Sequence, residues 1–225
     1  MLRDPVTIFF EIVVLLFAIS VHESAHAWMA NRLGDPTAKM LGRISLNPLV
    51  HIDLFGTILL PAMLILAGFP PFGYAKPTPV DNRNFRQPVR DDILTAVAGP
   101  VSNFLTAFIA VIILAVILHG ASGPIPATIR GADVGAPLVK MFELAISINV
   151  ILAVFNLIPL PPLDGSHVIR HFLSYEALKI YDRIGYLGLI IVMFVLPLVG
   201  CSIVGTVAAP VMICFYFLLN ALLRF

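Results

Sequence analysis

Charged side chains are scarce in this sequence. Of its 225 residues only 12% are Asp, Glu, Lys or Arg, whereas 59% are hydrophobic and the mean hydropathy is +0.97. A soluble domain is about one quarter charged. This shortage excludes an ordinary soluble protein and predicts a polytopic membrane protein. The formal net charge is only +1. Because nucleic-acid binding needs an excess of positive charge, we expect no nucleic-acid partner.

The sequence also has few cysteines and no strand-like pattern. Its two cysteines, Cys201 and Cys214, are thirteen residues apart, which places them on roughly opposite sides of a helix. We interpret both as small apolar residues, and they indicate neither a disulfide nor a cysteine metal site. No apolar segment alternates as a strand would, and no repeat has a fixed period. These absences predict an all-α polytopic membrane protein, with residues 1–225 forming a single membrane-embedded domain.

Six apolar segments predict the arrangement in the membrane. They cover about 5–30, 54–69, 94–118, 138–160, 184–199 and 203–222. A membrane-spanning helix needs about 20 apolar residues. Segment 54–69 is short and contains Gly56 and Pro61, so it either crosses the bilayer or enters and returns on the same side.

The positions of the basic residues favour the second alternative. If 54–69 is re-entrant, eleven of the fourteen Lys and Arg residues fall on one side of the membrane. That side is then cytoplasmic by the positive-inside rule. If 54–69 crosses, the basic loops are divided between the two sides. The sequence therefore predicts about five transmembrane helices plus a re-entrant or loop region at 54–69, with the N-terminus outside and the C-terminus inside.

The first apolar segment contains the motif His22-Glu23-Ser24-Ala25-His26. Histidines at positions i and i+4 share one helix face, so both imidazoles can reach one Zn²⁺ ion. Glu23 is placed to act on a water molecule rather than to bind the metal. A charge at the centre of a membrane helix costs about 2.5–3.5 kcal/mol. The alternative, a coincidental polar patch on a packed helix, is disfavoured by this cost.

A catalytic zinc site takes three protein ligands, so a third is required. Asp164 follows the 138–160 helix in the proline-rich stretch 156–165 and is predicted at the depth and side of the His-Glu-x-x-His motif. It could equally be a turn residue that caps the helix after it. His167 is its main rival, and spacing alone leaves the choice open. The full set of candidates is His51, His119, Glu143, Asp164, His167 and His171.

Three motifs in order give the sequence a specific resemblance. They are His22–His26, the segment Ala98-Gly99-Pro100-Val101-Ser102-Asn103, and Asn156 followed by Pro159 and Leu163-Asp164-Gly165. With them the chain resembles the site-2 protease family of intramembrane zinc metalloproteases over nearly its whole length. The stretches 47–53 and 73–77 are similar to the short bacterial and archaeal branch. We expect no PDZ insertion between 118 and 138 and no CBS domain after 222.

The resemblance implies a site and a reaction. It implies one Zn²⁺ per chain held by His22, His26 and Asp164, with Glu23 as the general base. It also implies that Asn156 holds the substrate backbone or the developing oxyanion. Family members cut transmembrane helices. The expected partners are therefore a transmembrane-helix protein substrate and membrane lipid. We expect a multi-pass protein of a prokaryotic cell membrane, with its active site near the cytoplasmic side.

Two further features are hypotheses about substrate binding. Asn103 is predicted to face the site, against the alternative of a helix–helix hydrogen bond. A helical substrate must be unwound locally before its carbonyls can be attacked, and an extended segment can then pair with a strand edge. Lys39–Leu46 or Tyr74–Pro79 could supply that edge as short β segments flanking 54–69. The alternative is that both segments are ordinary loops.

Two other classes of function compete with the protease interpretation. A catalytically silent homologue would bind transmembrane helices without cutting them, but the complete set of Glu23 and predicted ligands argues against it. A metal-ion transporter would also place His and Asp in the membrane. It predicts symmetric halves and polar residues along a whole path, whereas here they gather at one depth.

Overall fold

A computed structural model describes residues 5–60, 63, 66, 73–120, 128–129, 132–133, 135–196 and 202–224. The predicted all-α class is confirmed. The α-helices are α1 (Pro5–Leu33), α2 (Thr37–Met40), α3 (Pro88–Gly120), α4 (Gly135–Asn156), α5 (Gly165–Arg170), α6 (Tyr175–Ile190) and α7 (Ile203–Leu222). Shorter helical turns are the 3₁₀ turns Pro48–Val50 and Asn82–Asn84 and the π turns Leu54–Leu59 and Ile191–Val195. Strands β1 (Thr128–Ile129) and β2 (Ala132–Asp133) form a small antiparallel hairpin.

Four of these helices are long and apolar enough to cross a membrane, namely α1, α3, α4 and α7. The fifth span, predicted at 184–199, falls on the second half of α6 and on the π turn that continues it. The first half of α6 is polar on one face, with Lys179, Asp182 and Arg183 all exposed. Residues 197–199 and Cys201 lie outside the described residues, so five spans stay a prediction.

The start of the 54–69 region is hydrogen-bonded to the chain that follows the region. The Tyr74 N–H donates to the Gly56 carbonyl at 3.0 Å, and the Thr57 hydroxyl donates to the Tyr74 carbonyl at 2.9 Å. The Lys76 N–H donates to the His51 carbonyl at 2.8 Å. The chain therefore leaves and returns at one place, as a re-entrant segment requires.

The short β segments expected beside this region are not confirmed. Residues 39–53 and 73–81 are fully described and contain no strand. In Lys39–Leu46 the reason is local, because α2 extends to Met40 and Gly42 ends it at a φ of +70°. A glycine in this left-handed conformation is the usual way in which a helix stops.

Contacts divide the chain into two compact units, residues 1–18 with 100–225 and residues 19–99. The first has an apolar interior. Its two clusters centre on Val111, Leu114 and Ile146, and on Ala107 and Val150, with residues of α7 completing both. The alanines of these clusters, among them Ala107 and Ala110, let membrane helices approach closely.

The unit of residues 19–99 has a polar interior instead. Among the described residues, every buried acid, base or histidine lies in this unit: His22, His26, Asp35, Arg43, His51, Asp91 and Asp92. Buried ionisable groups are costly unless they are hydrogen-bonded or bind an ion. The buried ionisable groups of this unit are therefore candidates for hydrogen-bond networks or metal binding.

Asp35 fastens the end of α1 to the chain after the 54–69 region. Its carboxylate is fully buried and accepts hydrogen bonds from the Thr37 N–H and hydroxyl, from the Asp81 N–H at 2.8 Å and from the Asn84 amide at 2.9 Å. Burial by itself raises the pKa of Asp35, but these hydrogen bonds outweigh it and hold the pKa below its usual value.

We expect Asp35→Asn to destabilise the protein by about 1–3 kcal/mol, because an amide nitrogen would face donors that need an acceptor. In a thermal unfolding scan this lowers Tm by roughly 2–12 °C. Asp182→Asn is the control, since its ion pair with Arg170 is exposed and its removal changes little.

This stabilisation also predicts a pH dependence. Because the pKa is lower in the folded state, the contribution of Asp35 is complete above the unfolded pKa and is lost as pH falls through the folded pKa. The Tm difference between wild type and Asp35→Asn should shrink in acid. A difference that stays constant down to the acid limit would contradict this account.

Candidate metal centre

His22 and His26 face each other one turn apart on α1. Both side chains are buried, and their rings meet edge to face with centroids 4.6 Å apart. Their Nε2 atoms are 3.0 Å apart. Two nitrogen ligands of a tetrahedral zinc ion stand about 3.3 Å apart, given Zn–N bonds of about 2.0–2.1 Å. The spacing of the pair therefore suits one zinc ion.

The orientation of His26 is set by α3. Its Nδ1 lies 2.7 Å from the Thr95 carbonyl oxygen, so Nδ1 carries the proton and donates, and Nε2 is left as the ligand atom. A ring N–H that donates to a carbonyl is the usual support for a metal-binding histidine. Pro100 lies inside α3 and lacks the N–H that would donate to the Ala96 carbonyl, so the helix turn next to Thr95 is short of one hydrogen bond.

Gly99 lies directly against both histidines. A Cβ atom placed on it would come within 2.3 Å of His26 Nε2 and 2.6 Å of His22 Cε1. No side chain fits in this space, so glycine is required here for a steric reason. The Gly99-Pro100 pair thus brings the backbone of α3 into contact with the predicted ligands.

Glu23 is held by a residue far along the chain. Its Oε2 accepts a hydrogen bond from the Thr78 N–H at 3.0 Å and lies 2.8 Å from the Thr78 hydroxyl. The same hydroxyl lies 3.0 Å from the Glu23 carbonyl. The carboxylate is therefore oriented by the chain that follows the 54–69 region.

Asp164 lies at the end of a tight loop between α4 and α5. Gly165 makes the loop possible, because a Cβ on it would come within 2.3 Å of the Leu157 carbonyl oxygen. Asp164 occupies the capping position of α5, but its side chain makes no capping hydrogen bond to that helix. The structure thus gives no support to the interpretation of Asp164 as a helix cap.

His22, His26 and Asp164 form the one three-residue group of candidate metal ligands found among the described residues. One ligand atom from each lies within 4.8 Å of the others. Two imidazole nitrogens and one carboxylate oxygen are donors that zinc accepts, and three such ligands leave a position for water. The donor set therefore fits a catalytic zinc ion.

The other candidates for the third ligand lie elsewhere. His51 is buried with its Nε2 2.8 Å from the Ser45 carbonyl, and His119 contacts the Ala115 carbonyl of its own helix at 3.3 Å. Glu143 pairs loosely with Lys140 at 3.9 Å. His167 and His171 do not belong to the group with His22 and His26.

The two predicted substrate-binding asparagines are placed differently. Asn156 ends α4, and its amide nitrogen donates to the Leu152 carbonyl at 3.0 Å. Asn103 is fully buried and donates to Ala18 O at 3.2 Å and to Asn149 Oδ1 at 2.8 Å. The two hydrogen bonds of Asn103 join α3 to α1 and to α4, as in the alternative interpretation of this residue. A role in substrate binding stays a prediction for both.

Sequence reasoning missed two contacts of this centre. Thr95 and Thr78 carry no motif, and their partners His26 and Glu23 are 69 and 55 residues away. Thr78 does lie within Tyr74–Pro79, a segment that the sequence singled out for another reason. No local pattern in the sequence indicates either contact.

Comparisons with known proteins give a matching sequence family and a similar protein. A sequence model described as "Peptidase family M50" matches residues 10–199. The chain is 38% identical over 189 residues to a Bacillus subtilis (strain 168) protein named "Putative zinc metalloprotease YwhC", an alignment that covers 83% of this chain and 80% of the relative. No solved structure matches this chain.

Proposed function

The chain belongs to peptidase family M50, the site-2 protease family, and from this premise we propose that it is an intramembrane zinc endopeptidase. It hydrolyses a peptide bond within or near a transmembrane helix of another membrane protein. The observation that carries the proposal is the grouping of His22, His26 and Asp164 in a chain with four helices apolar enough to cross a membrane.

His22, His26 and Asp164 would hold the zinc ion. When bound, zinc supplies Lewis acidity toward the scissile carbonyl and makes a nearby water molecule more acidic. Glu23 takes a proton from that water as the water oxygen bonds to the carbonyl carbon. Glu23 then delivers the proton to the leaving nitrogen as the C–N bond breaks. Asn156 is the candidate to hold the substrate backbone beside the site.

The segment Tyr74–Pro79 remains the candidate edge for an unwound substrate. The N–H groups of residues 74, 76 and 78 all donate hydrogen bonds to other parts of the chain. Such bonding at every second residue is typical of an extended backbone. In an extended segment the backbone polar groups of Ala75 and Pro77 then lie on the opposite edge. They offer one N–H and two carbonyls, with which an extended substrate segment could pair.

The active site is proposed near the cytoplasmic side of a prokaryotic cell membrane. The distribution of Lys and Arg supports this side, and the end of α1 fits a membrane interface. There Arg32 lies over the ring of Trp28 at 5.4 Å, and both residue types are common at interfaces. Membrane lipid and a transmembrane-helix substrate are the proposed partners.

The test is cleavage by the purified full-length chain in detergent. The substrate is a model transmembrane peptide labelled at both ends, and an unstructured soluble peptide serves as control. We expect the zinc-loaded protein to cut the transmembrane peptide within or near its apolar stretch, as read by mass spectrometry. A chelator should reduce the rate at least about 10-fold, and added zinc should restore it.

Each other result points to a different function. Zinc bound at one per chain without cleavage of several different peptides would favour the silent homologue. Cleavage of the soluble peptide alone would leave a zinc protease that does not act within membranes. Zinc uptake into sealed vesicles without cleavage would favour the transporter.

A further inference from the structure

Two hydrogen-bond donors of one residue converge on a single oxygen of Glu23. The Thr78 N–H is 3.0 Å and the Thr78 hydroxyl 2.8 Å from Oε2. The hydroxyl has one proton, so it donates either to Oε2 or to the Glu23 carbonyl, which is 3.0 Å away. Within the described parts of the chain, no hydrogen bond to the other oxygen, Oε1, is found. Oε1 is thus the oxygen that can act on a water molecule.

Thr78 is itself held in place on both sides. Before it, the N–H groups of Tyr74 and Lys76 donate to carbonyls of the 51–56 region. After it, the Asp81 N–H donates to the buried Asp35 carboxylate at 2.8 Å. Thr78 also lies between two prolines, Pro77 and Pro79. A residue before proline is restricted to extended conformations, so Thr78 has little freedom to move away from Glu23.

This arrangement matters because Glu23 is otherwise free to rotate. A glutamate side chain on a helix has three rotatable bonds, whereas a general base must come within about 2.6–3.2 Å of the proton that it takes. Donors fixed on one carboxylate oxygen orient the whole carboxylate. We propose that Thr78 is a positioning residue that aims Oε1 of Glu23 at the reacting water. This inference rests on the proposed protease function.

A simpler role for Thr78 would be to fasten its loop to α1. The chain contains a matched residue, Thr57, whose hydroxyl accepts from the Asp53 N–H at 3.0 Å and fastens the same loop. The Thr57 hydroxyl donates to the Tyr74 carbonyl of the same loop at 2.9 Å, and Thr57 has no contact with Glu23 among the described interactions. Removing this hydroxyl loosens the loop without touching the base. Thr57→Val is therefore the control for a purely structural effect.

The experiment compares Thr78→Val, Thr78→Ser and Thr57→Val with wild type. For each protein kcat and KM are measured on the model transmembrane peptide, and zinc content and Tm are measured in parallel. We expect Thr78→Val to lower kcat about 10–100-fold, with KM and zinc content changed less than about 3-fold. Thr78→Ser should restore kcat to within about 3-fold of wild type. Thr57→Val should stay within about 3-fold.

Results that contradict the inference can be distinguished from results that contradict the proposed function. Equal losses in Thr78→Val and Thr57→Val would show a loop anchor and overturn the inference. A kcat in Thr78→Val equal to or above that of wild type would also overturn it. If wild type cuts no peptide, the proposed function itself fails. If wild type cuts and Thr78→Val cuts equally well, only this inference fails.

A second set of variants tests the inference if Thr78→Val folds poorly or if cleavage is too slow to measure. Thr78→Ala removes the hydroxyl without placing a methyl group against the carboxylate, and it should show the same loss of kcat. Glu23→Ala, which removes the carboxylate that Thr78 contacts, is also compared by Tm with Thr78→Val and with the double variant. We expect the decrease in Tm of the double variant to be smaller than the sum of the decreases in the two single variants, because the two residues share one contact. Additive losses would show that Thr78 and Glu23 are not coupled.

Discussion

Glu23→Gln should lower kcat/KM about 10²–10⁴-fold while the protein keeps its fold and its capacity to bind zinc. Glutamine has the shape of glutamate but cannot take a proton from water. Its side-chain oxygen can still accept the hydrogen bonds from Thr78, which now reach Oε2 at 2.8 and 3.0 Å. The amide NH₂ group then faces the water in place of Oε1. The loss is therefore chemical rather than structural.

The measurement is the rate of peptide cleavage together with zinc content and Tm of the same preparations. Glu143→Gln is the matched control, because Glu143 is a half-buried glutamate on α4 whose contact with Lys140 is weak. We expect this control to cleave at the wild-type rate. Cleavage that persists in Glu23→Gln would sink the proposed mechanism, even if zinc proves essential.

Gly99→Ala should lower zinc affinity about 100-fold or more and remove cleavage with it. The added Cβ would lie 2.3 Å from His26 Nε2, and carbon and nitrogen atoms cannot approach so closely. Because Pro100 follows and α3 is long, the histidine rings rather than the helix are the groups that can move. Both ligand atoms are then displaced from each other and from the metal.

The fold should survive this substitution. Alanine favours a helix over glycine by about 1 kcal/mol, which offsets part of an overpacking cost of about 1–3 kcal/mol. Gly188→Ala is the control, because a Cβ there would meet only the flexible Leu160 side chain at 3.3 Å. Zinc titration of both variants, with circular dichroism to check folding, separates the effects. Tight zinc binding by Gly99→Ala would show that the packing around the histidines is looser than described.

Several features followed from the sequence because they depend on neighbours along the chain. The composition decided the class of protein, since a bilayer admits only helices or closed barrels and no strand pattern is present. The His22–His26 pair followed from helix geometry alone. The re-entrant interpretation of 54–69 came from the basic residues, and the hydrogen bonds from Tyr74 and Lys76 agree with it. The β segments beside it were not confirmed; in Lys39–Leu46 the end of α2 and the turn at Gly42 take the place of a strand.

Sequence spacing could not identify the third metal ligand. From spacing alone Asp164 and His167 were rivals, and only the resemblance favoured Asp164. Asp164 and His167 are three residues apart in the sequence. The turn at Gly165 decides that Asp164 lies near His22 and His26. The conformation of that turn depends on how closely Gly165 packs on Leu157. Such packing has no signature in the spacing of polar residues.

By itself, the sequence determined a helical membrane protein with two histidines and a glutamate on one turn of its first helix. These properties arise from composition and from a period of 3.6 residues, both of which are local. Only the tertiary structure decided which groups surround that turn: Gly99 against the rings, the Thr95 carbonyl on His26 and Thr78 on Glu23. These contacts join residues 55 to 77 positions apart, and such distant pairs meet only when the helices and the loop between them pack.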